Sequence, residues 1–270
     1  MSRLDLHSHS HYSDGTLPPA EVVRRAQAAG VEVLALTDHD SVSGVGEAAE
    51  AGVKLGLRVV PGIEINTAED DLLHVLGYRI DPLSEKLAAR LESFRDRRRQ
   101  RIQAVVERLR NEARLDIGWE DVVAVSRQSL GRPHVADALV RKRIVHSRRE
   151  AFEKFLAKGR VGYVQPLGPS AQEAIIAIQE AGGWASLAHP GTMNYETELP
   201  RLASYGLGGI EVYYPTHSTE TIEKLLRLAD AHRLIPTIGS DYHGPRTGRD
   251  RIGTHGADPE LAARLLERLS

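Results

Sequence analysis

Cysteine is absent from all 270 residues, which removes a disulfide framework, a thiolate zinc site and a cysteine nucleophile together. Aromatic residues make up 5% of the chain, so base-stacking platforms for a long single strand are sparse. No run approaches the roughly 20 apolar residues that a membrane span needs. The opening Arg3-Leu4-Asp5-Leu6-His7 lacks the charged, apolar, then small-residue order of a secretory signal. No repeat of fixed period and no low-complexity segment interrupts the chain. These absences lead us to expect a soluble, cytoplasmic protein with no membrane partner and no stable long nucleic-acid partner.

What is present is glycine, histidine and an uneven charge. With 41% hydrophobic residues and 24 Gly, the chain can bury a full core as one large α/β domain or as a barrel with an insertion. Formal net charge is -2, yet residues 80–169 hold 20 Lys/Arg against 12 Asp/Glu, while the remainder holds 15 against 25. An acidic part can hold cations, and a basic part beside it can hold an anionic substrate; solvated arginine on long helices would produce the same excess.

Strand and helix alternate over the first 80 residues. Arg3–Leu6, Val31–Leu36 and Arg58–Pro61 read as strands, Pro18–Ala29 and Val45–Leu55 as helices, and Thr16 is a possible cap of the first helix. This order predicts βα units around parallel strands, with Asp71–Tyr78 as one further strand. The texture then changes. Ser84–Ala113 carries one long helical pattern through Leu87, Leu91, Phe94, Ile102, Val105 and Leu109, and shorter helices are expected near Trp119–Ser126, Pro133–Arg141 and Arg148–Lys158. Gly159–Pro169 reads as a return linker. The alternation resumes with helix Ser170–Ala181, strands Trp184–Leu187 and Gly209–Tyr213, helix Thr219–His232 and strand Ile235–Ile238. The expected division is a barrel over 1–79 and 170–270, and a helical, substrate-binding lid over 80–169.

The strongest local signal is Asp5-Leu6-His7-Ser8-His9-Ser10-His11-Tyr12-Ser13-Asp14-Gly15. Residues two apart on a strand share a face, so His7 and His9 can converge on one ion. Alone such a pair is a weak indication, but it recurs. His39 follows Leu34–Thr37, Glu64 follows Val59–Gly62, His74 lies in the next apolar segment, His189 follows Trp184–Ala188, and Asp241 and His243 follow Ile235–Ser240. In parallel α/β architectures the residues just beyond the carboxyl ends of strands line the site. Several satisfied polar histidines are the bland alternative, and for the whole set it is a poor one. Asp38 and Asp40 are expected to orient the ligand histidines.

Taken together, His7-Ser8-His9, Thr37-Asp38-His39-Asp40, Pro61-Gly62-Ile63-Glu64, His74-Val75-Leu76-Gly77-Tyr78, Ala188-His189-Pro190 and Ser240-Asp241-Tyr242-His243 resemble the PHP (polymerase and histidinol phosphatase) family of phosphoesterases. The likeness runs from residue 4 to about 250. It implies an α/β fold, a distorted (β/α)7 barrel with a helical insertion. It also implies three divalent ions: His7, His9, Glu64 and Asp241 around one, Glu64 bridging to a second with His74 and His189, and Asp14, His39 and His243 around the third. Some members carry His where this sequence has Asp14, and a carboxylate there favours manganese, with iron, zinc or magnesium as alternatives. A hydroxide shared by two ions would attack phosphorus in line, so Glu64 and Asp241 are assigned to catalysis, and His134 is a candidate proton donor to the leaving group.

For the substrate, Gly131-Arg132-Pro133-His134 opens a predicted helix and suggests a phosphate cradle from Arg132 and His134, against the alternative of an ordinary capped surface helix. Arg98 falls on the apolar stripe of the long helix and Arg101 on its shoulder. Inward arginines need an anionic partner, a core carboxylate or a substrate, and both are assigned to substrate phosphate. Arg95, Arg97 and Arg99 are expected to be solvated, and His11, His146, His217, His232 and His255 to be ordinary polar residues. The resulting expectation is hydrolysis of a nucleotide phosphomonoester, first the 3'-phosphate of nucleoside 3',5'-bisphosphates. The alternatives are a 5'-3' exoribonuclease on short RNA, a histidinol-phosphate phosphatase, and an inactive metal-binding interaction module.

Overall fold

Val33–Leu36 (β2) is buried at every position, as a parallel strand covered on both faces must be. It is one of seven strands in a computed structural model that describes residues 3–125, 130–192 and 195–270. The others are Leu4–Asp5 (β1), Arg58–Asn66 (β3), His74–Tyr78 (β4), Trp184–Leu187 (β5), Gly209–Tyr213 (β6) and Ile235–Ile238 (β7), and they lie side by side in chain order. The ends of this sheet meet. The Leu6 N–H donates to the Ile238 carbonyl at 2.8 Å, and Ser8 bridges Tyr242 in parallel register. The fold is a distorted seven-stranded α/β barrel with a helical insertion.

Helices Pro19–Ala28 (α1), Val45–Leu55 (α2), Ala171–Glu180 (α7), Tyr195–Ser204 (α8), Thr219–Ala231 (α9) and Pro259–Arg268 (α10) accompany the strands. Between β4 and α7 lie Glu85–Asn111 (α3), Trp119–Val123 (α4), Arg132–Arg141 (α5) and Arg148–Ala151 (α6), the last continuing as a π-helical turn over Phe152–Leu156. The long α3 serves two cores. Leu87, Leu91 and Phe94 pack in the same cluster as Ile175 and Ile178 of α7, while Ile102, Val105 and Leu109 join Val135 and Leu139 of α5. A single rigid helix therefore ties the inserted helices to the barrel. No helix among the described residues is long and apolar enough to cross a membrane.

The strands do not all run parallel. β4 pairs antiparallel with both β3 and β5. Only the short segment 67–73 joins β3 to β4, too little chain for a helical crossover, so the connection reverses direction as a hairpin does. The reversal has a consequence for the site. His74 begins its strand opposite Asn66, and so lies at the same rim as the residues that end the parallel strands. Two helices, α8 and α10, fall outside the elements expected from sequence; Pro200 inside α8 obscures the first. The expected helix Trp119–Ser126 stops at Val123, and its last residue, Ser126, lies outside the described residues. Thr16 does not cap α1, whose N-cap is Pro18; its hydroxyl donates to the His243 carbonyl at 3.2 Å.

Asp5 closes the barrel seam. Its buried carboxylate accepts the Ser240 N–H at 2.9 Å and the Gly253 N–H at 2.8 Å. An Asp5→Ala change strands both donors, and should lower unfolding free energy in urea by about 3 kcal/mol. A loss below ~0.5 kcal/mol would mean that other contacts hold the seam.

Candidate metal centre

The loop after β1 is built to converge its side chains. Gly15 passes so close to the His9 carbonyl that a Cβ there would sit 2.6 Å from the oxygen. Only glycine permits this turn, which returns Asp14 toward His9. Asp38 fixes the loop from below, accepting the Ser10 N–H and Ser13 Oγ–H at 2.7 Å each and the Ser10 Oγ–H at 2.6 Å. Asp38 therefore touches no ligand histidine directly; Ser13 Oγ, 3.4 Å from His9 Nδ1, carries the connection. Asp40 likewise acts at one remove. It accepts a hydrogen bond from Asn66, whose amide lies 3.1 Å from His39 Nδ1.

All nine residues expected as ligands come together, eight of them buried and His74 partly so. Glu64 stands at the middle. Its Oε1 lies 2.8 Å from His74 Nδ1 and 3.2 Å from His189 Nε2. Its Oε2 lies 3.1 Å from both His7 Nε2 and His9 Nε2, and 3.2 Å from His39 Nδ1. One buried carboxylate thus faces five imidazoles. Three compact donor sets emerge: His7, His9, Glu64 and Asp241; His9, Asp14, His39 and His243; and His39, Glu64 and His74. They overlap more than the expected division does, because His9 and His39 each stand between two sets, and His189, expected with Glu64 and His74, falls in none of them.

Three observations fit a cationic occupant. His7 Nε2 and His9 Nε2 face each other at 3.1 Å, where two lone pairs would repel unless a proton or a cation stands between them. Asp241 Oδ1 is buried and receives no hydrogen bond, although both of those nitrogens lie within 3.4 Å. The donors, imidazole with carboxylate, are those that manganese, iron and zinc take.

The PHP domain family matches residues 5–180. The chain belongs to that family. It is 36% identical to a 3',5'-nucleoside bisphosphate phosphatase of Chromobacterium violaceum over 98% of this chain and 99% of that protein. It is also 36% identical to the 5'-3' exoribonuclease Rnm of Escherichia coli, over 89% of this chain and 85% of that one. Among solved structures, a protein of Bifidobacterium adolescentis assigned to the metal-dependent phosphoesterases matches with a TM-score of 0.88 at 32% identity, covering 99% of this chain and 96% of that chain.

The electrostatics of this PHP centre favour positive charge among its carboxylates. Burial drives the Glu64 carboxyl up, but His39, His7 and His74 hold it well below the ordinary carboxylate range. Burial likewise opposes ionisation of Asp14 and Asp241, and His243 and Arg249 respectively lead the groups that keep them ionised. Burial alone would lower His9; Asp241 and Glu64 outweigh it and push His9 up to about 9. His39 and His74 are lowered, chiefly by burial. Without a cation the cluster must keep protons on some imidazoles to balance its carboxylates, and cation binding displaces them.

Three of the residues sequence reasoning missed hold the centre in place. Glu211 in β6 is fully buried; it sits 3.0 Å from His7 Nδ1 and accepts the His189 N–H at 2.7 Å. That contact fixes His7 with Nδ1–H toward Glu211 and Nε2 toward the cluster. A charged residue inside the apolar run Gly209-Ile210-Glu211-Val212-Tyr213 was the available signal. Tyr214 donates to Asp241 Oδ2 at 2.9 Å, and Arg249 pairs with the same oxygen at 2.7 Å. Asp40, His189 and Asp241 adopt positive φ without being glycine, at 50°, 29° and 54°. Positive φ also occurs at Arg79, Arg114, Arg143, Arg233 and Arg246, so at these three it counts only through their place beside the cluster.

A cavity of about 280 Å³ opens above the cluster and is bordered on the insertion side by Arg98, Arg101 and Arg132. Each already has an anionic partner in the protein: Asp40 at 2.8 Å for Arg98, and Asp71 at 2.6 and 3.1 Å for Arg101 and Arg132. His134 requires correction. Its Nδ1 accepts the Gly131 N–H at 3.0 Å and its Nε2–H donates to the Ser13 carbonyl at 2.9 Å, so neither nitrogen is free, and it does not line the cavity. His134 is a strut between α5 and the metal loop, with its Nε2–H engaged by the Ser13 carbonyl. Arg95 and Arg97 are not simply solvated either, since they donate to the Asp40 and Gly168 carbonyls.

Replacing Glu211 with glutamine removes the charge behind His7 while keeping its shape. Metal affinity, measured by titration against a competing chelator, should fall about ten- to hundredfold. Unchanged affinity would leave Glu211 without a role at the centre.

Proposed function

We propose that the chain hydrolyses phosphomonoesters of small nucleotides, with the 3'-phosphate of nucleoside 3',5'-bisphosphates as the first substrate. The observation that carries this reading is the pairing of a donor cluster, eight residues in overlapping sets with His189 beside Glu64, with three arginines across a cavity of about 280 Å³. That volume is at the small end for ligand pockets and suits a mononucleotide better than an extended strand. The bisphosphate phosphatase relative, matched over almost its full length, supports the same substrate class.

In this reading His7, His9, Asp14, His39, Glu64, His74, His189, Asp241 and His243 would hold three divalent ions, with Glu64 at the centre of the set. Manganese is favoured over zinc because Asp14 supplies a hard oxygen donor. Ions bound there would acidify water toward neutral pH and neutralise charge on the phosphoryl oxygens. The protein's part is positioning. Glu211, Asn66 and the His243 Nδ1–H bond to the Asp241 carbonyl fix ring orientations, and Tyr214 turns one edge of Asp241 so that Oδ1 faces the cluster. Arg98, Arg101 and Arg132 receive a second anionic group at the far side of the cavity, and the helices of residues 80–169 form the lid that excludes water. No serine or cysteine nucleophile is required, so no covalent intermediate forms.

The second reading is a 5'-3' exoribonuclease on short RNA, supported by the Rnm relative. A screen with manganese separates the two. Phosphate released from a nucleoside 3',5'-bisphosphate but not from dinucleotides supports the first; stepwise mononucleotide release from short 5'-phosphorylated RNA supports the second. Metal bound without turnover of any phosphate ester would reduce the protein to a binding module. Glu64→Ala should cost about a hundred- to thousandfold in kcat by disturbing two ions at once. Full activity in that variant would contradict the bridging role.

A further inference from the structure

An arginine can offer a substrate only the donors that the protein leaves free, so the donors must be counted. Arg98 gives Nε to the Leu130 carbonyl and Nη1 to Asp40. Arg101 gives Nε and Nη2 to the Val164 carbonyl and Asp71. Arg132 gives Nη1 to the Leu156 carbonyl and Nη2 to Asp71, with its guanidinium over Phe152. Arg249 is different. Its guanidinium makes one ion pair, Nη1 with Asp241 Oδ2, and engages no other polar group among the described residues. Its side chain is 49% exposed.

Its position is equally distinctive. Arg249 comes from the loop after β7 and borders the main cavity from the barrel side, facing the arginines of α3 and α5. With Tyr214 it also borders a second cavity of about 540 Å³, lined further by Thr216, Ser240 and Thr254. Its partner, Asp241, presents its other oxygen to His7 and His9. A guanidinium can keep Nη1 on a carboxylate and still present Nε and Nη2 as a fork to a phosphate.

We propose that Arg249 is a substrate-binding residue that grips the reacting phosphoryl group from the barrel side. The claim rests on the phosphoesterase reading given above. It assigns the two ends of a bisphosphate to different cations: the reacting phosphate to the metal centre and Arg249, the distant one to Arg98, Arg101 and Arg132. Arg249 holds Asp241 as well, so the test must separate contact with phosphate from support of a metal ligand.

The test is calorimetric titration of the manganese-loaded full chain with inorganic phosphate, with bound manganese measured on the same samples. Arg249→Gln should raise the Kd for phosphate about ten- to hundredfold, the loss expected for charge-assisted hydrogen bonds, with manganese content unchanged. Arg249→Lys should recover part of the affinity. Arg246→Gln, an exposed residue of the same loop outside both cavities, removes the same charge and should leave the Kd as it was. An unchanged Kd in Arg249→Gln overturns the proposal. So does a loss of phosphate affinity that tracks a loss of manganese, because Arg249 would then act only through Asp241. Phosphate binding is read without turnover, so failure of the bisphosphate to react would count against the function and not against Arg249.

Discussion

A carboxylate buried among five imidazoles is the constraint on which the rest of this structure depends. Glu64 is 1% exposed, so bulk water does little to solvate its charge. Its two oxygens divide the surrounding rings, His74 and His189 on one and His7, His9 and His39 on the other. The arrangement is tolerable only if positive charge is supplied between the donors. Protons can supply it, at the cost of charging histidines that burial disfavours; divalent cations supply it while using every lone pair.

The fold meets this constraint by distributing the donors over separate strand ends. Each then inherits the rigidity of the barrel, and few of them depend on a flexible loop alone. Where the chain must bend to present a side chain, buried struts hold it. Asp38 fixes the loop of His9 and Asp14, Glu211 holds His7 and His189 together, and His134 pins the same loop to the inserted helices. The positive φ angles at Asp40, His189 and Asp241 are retained because the surrounding hydrogen bonds over-determine them.

Much of this centre was legible in the sequence, and for a specific reason. Most of the ligands stand just past apolar runs of strand length, the easiest boundary to see in an α/β chain, although Glu64 lies inside β3 and His74 begins β4. Strand direction is not visible in that pattern, so the antiparallel β4 came only with the structure, and with it the reason His74 reaches the rim from the start of its strand. Glu211 was missed because it lies inside an apolar strand instead of at its end. Tyr214 and Arg249 sit in loops whose path no periodicity describes. His134 drew attention by position in its helix, yet its two backbone contacts give it a structural task. Arg98 and Arg101 were correctly read as inward, but inwardness could not tell a carboxylate partner from a substrate. The last helix is the exception, since Asp258 and Pro259 form a strong start signal that sequence reasoning did not take up.

Anomalous diffraction from crystals grown with manganese tests the central claim most directly. The account predicts three peaks within the cluster, two of them within coordination distance of Glu64, one on each oxygen. A single peak held by His9, Asp14, His39 and His243, with Glu64 bonded only to protonated histidines, would contradict it.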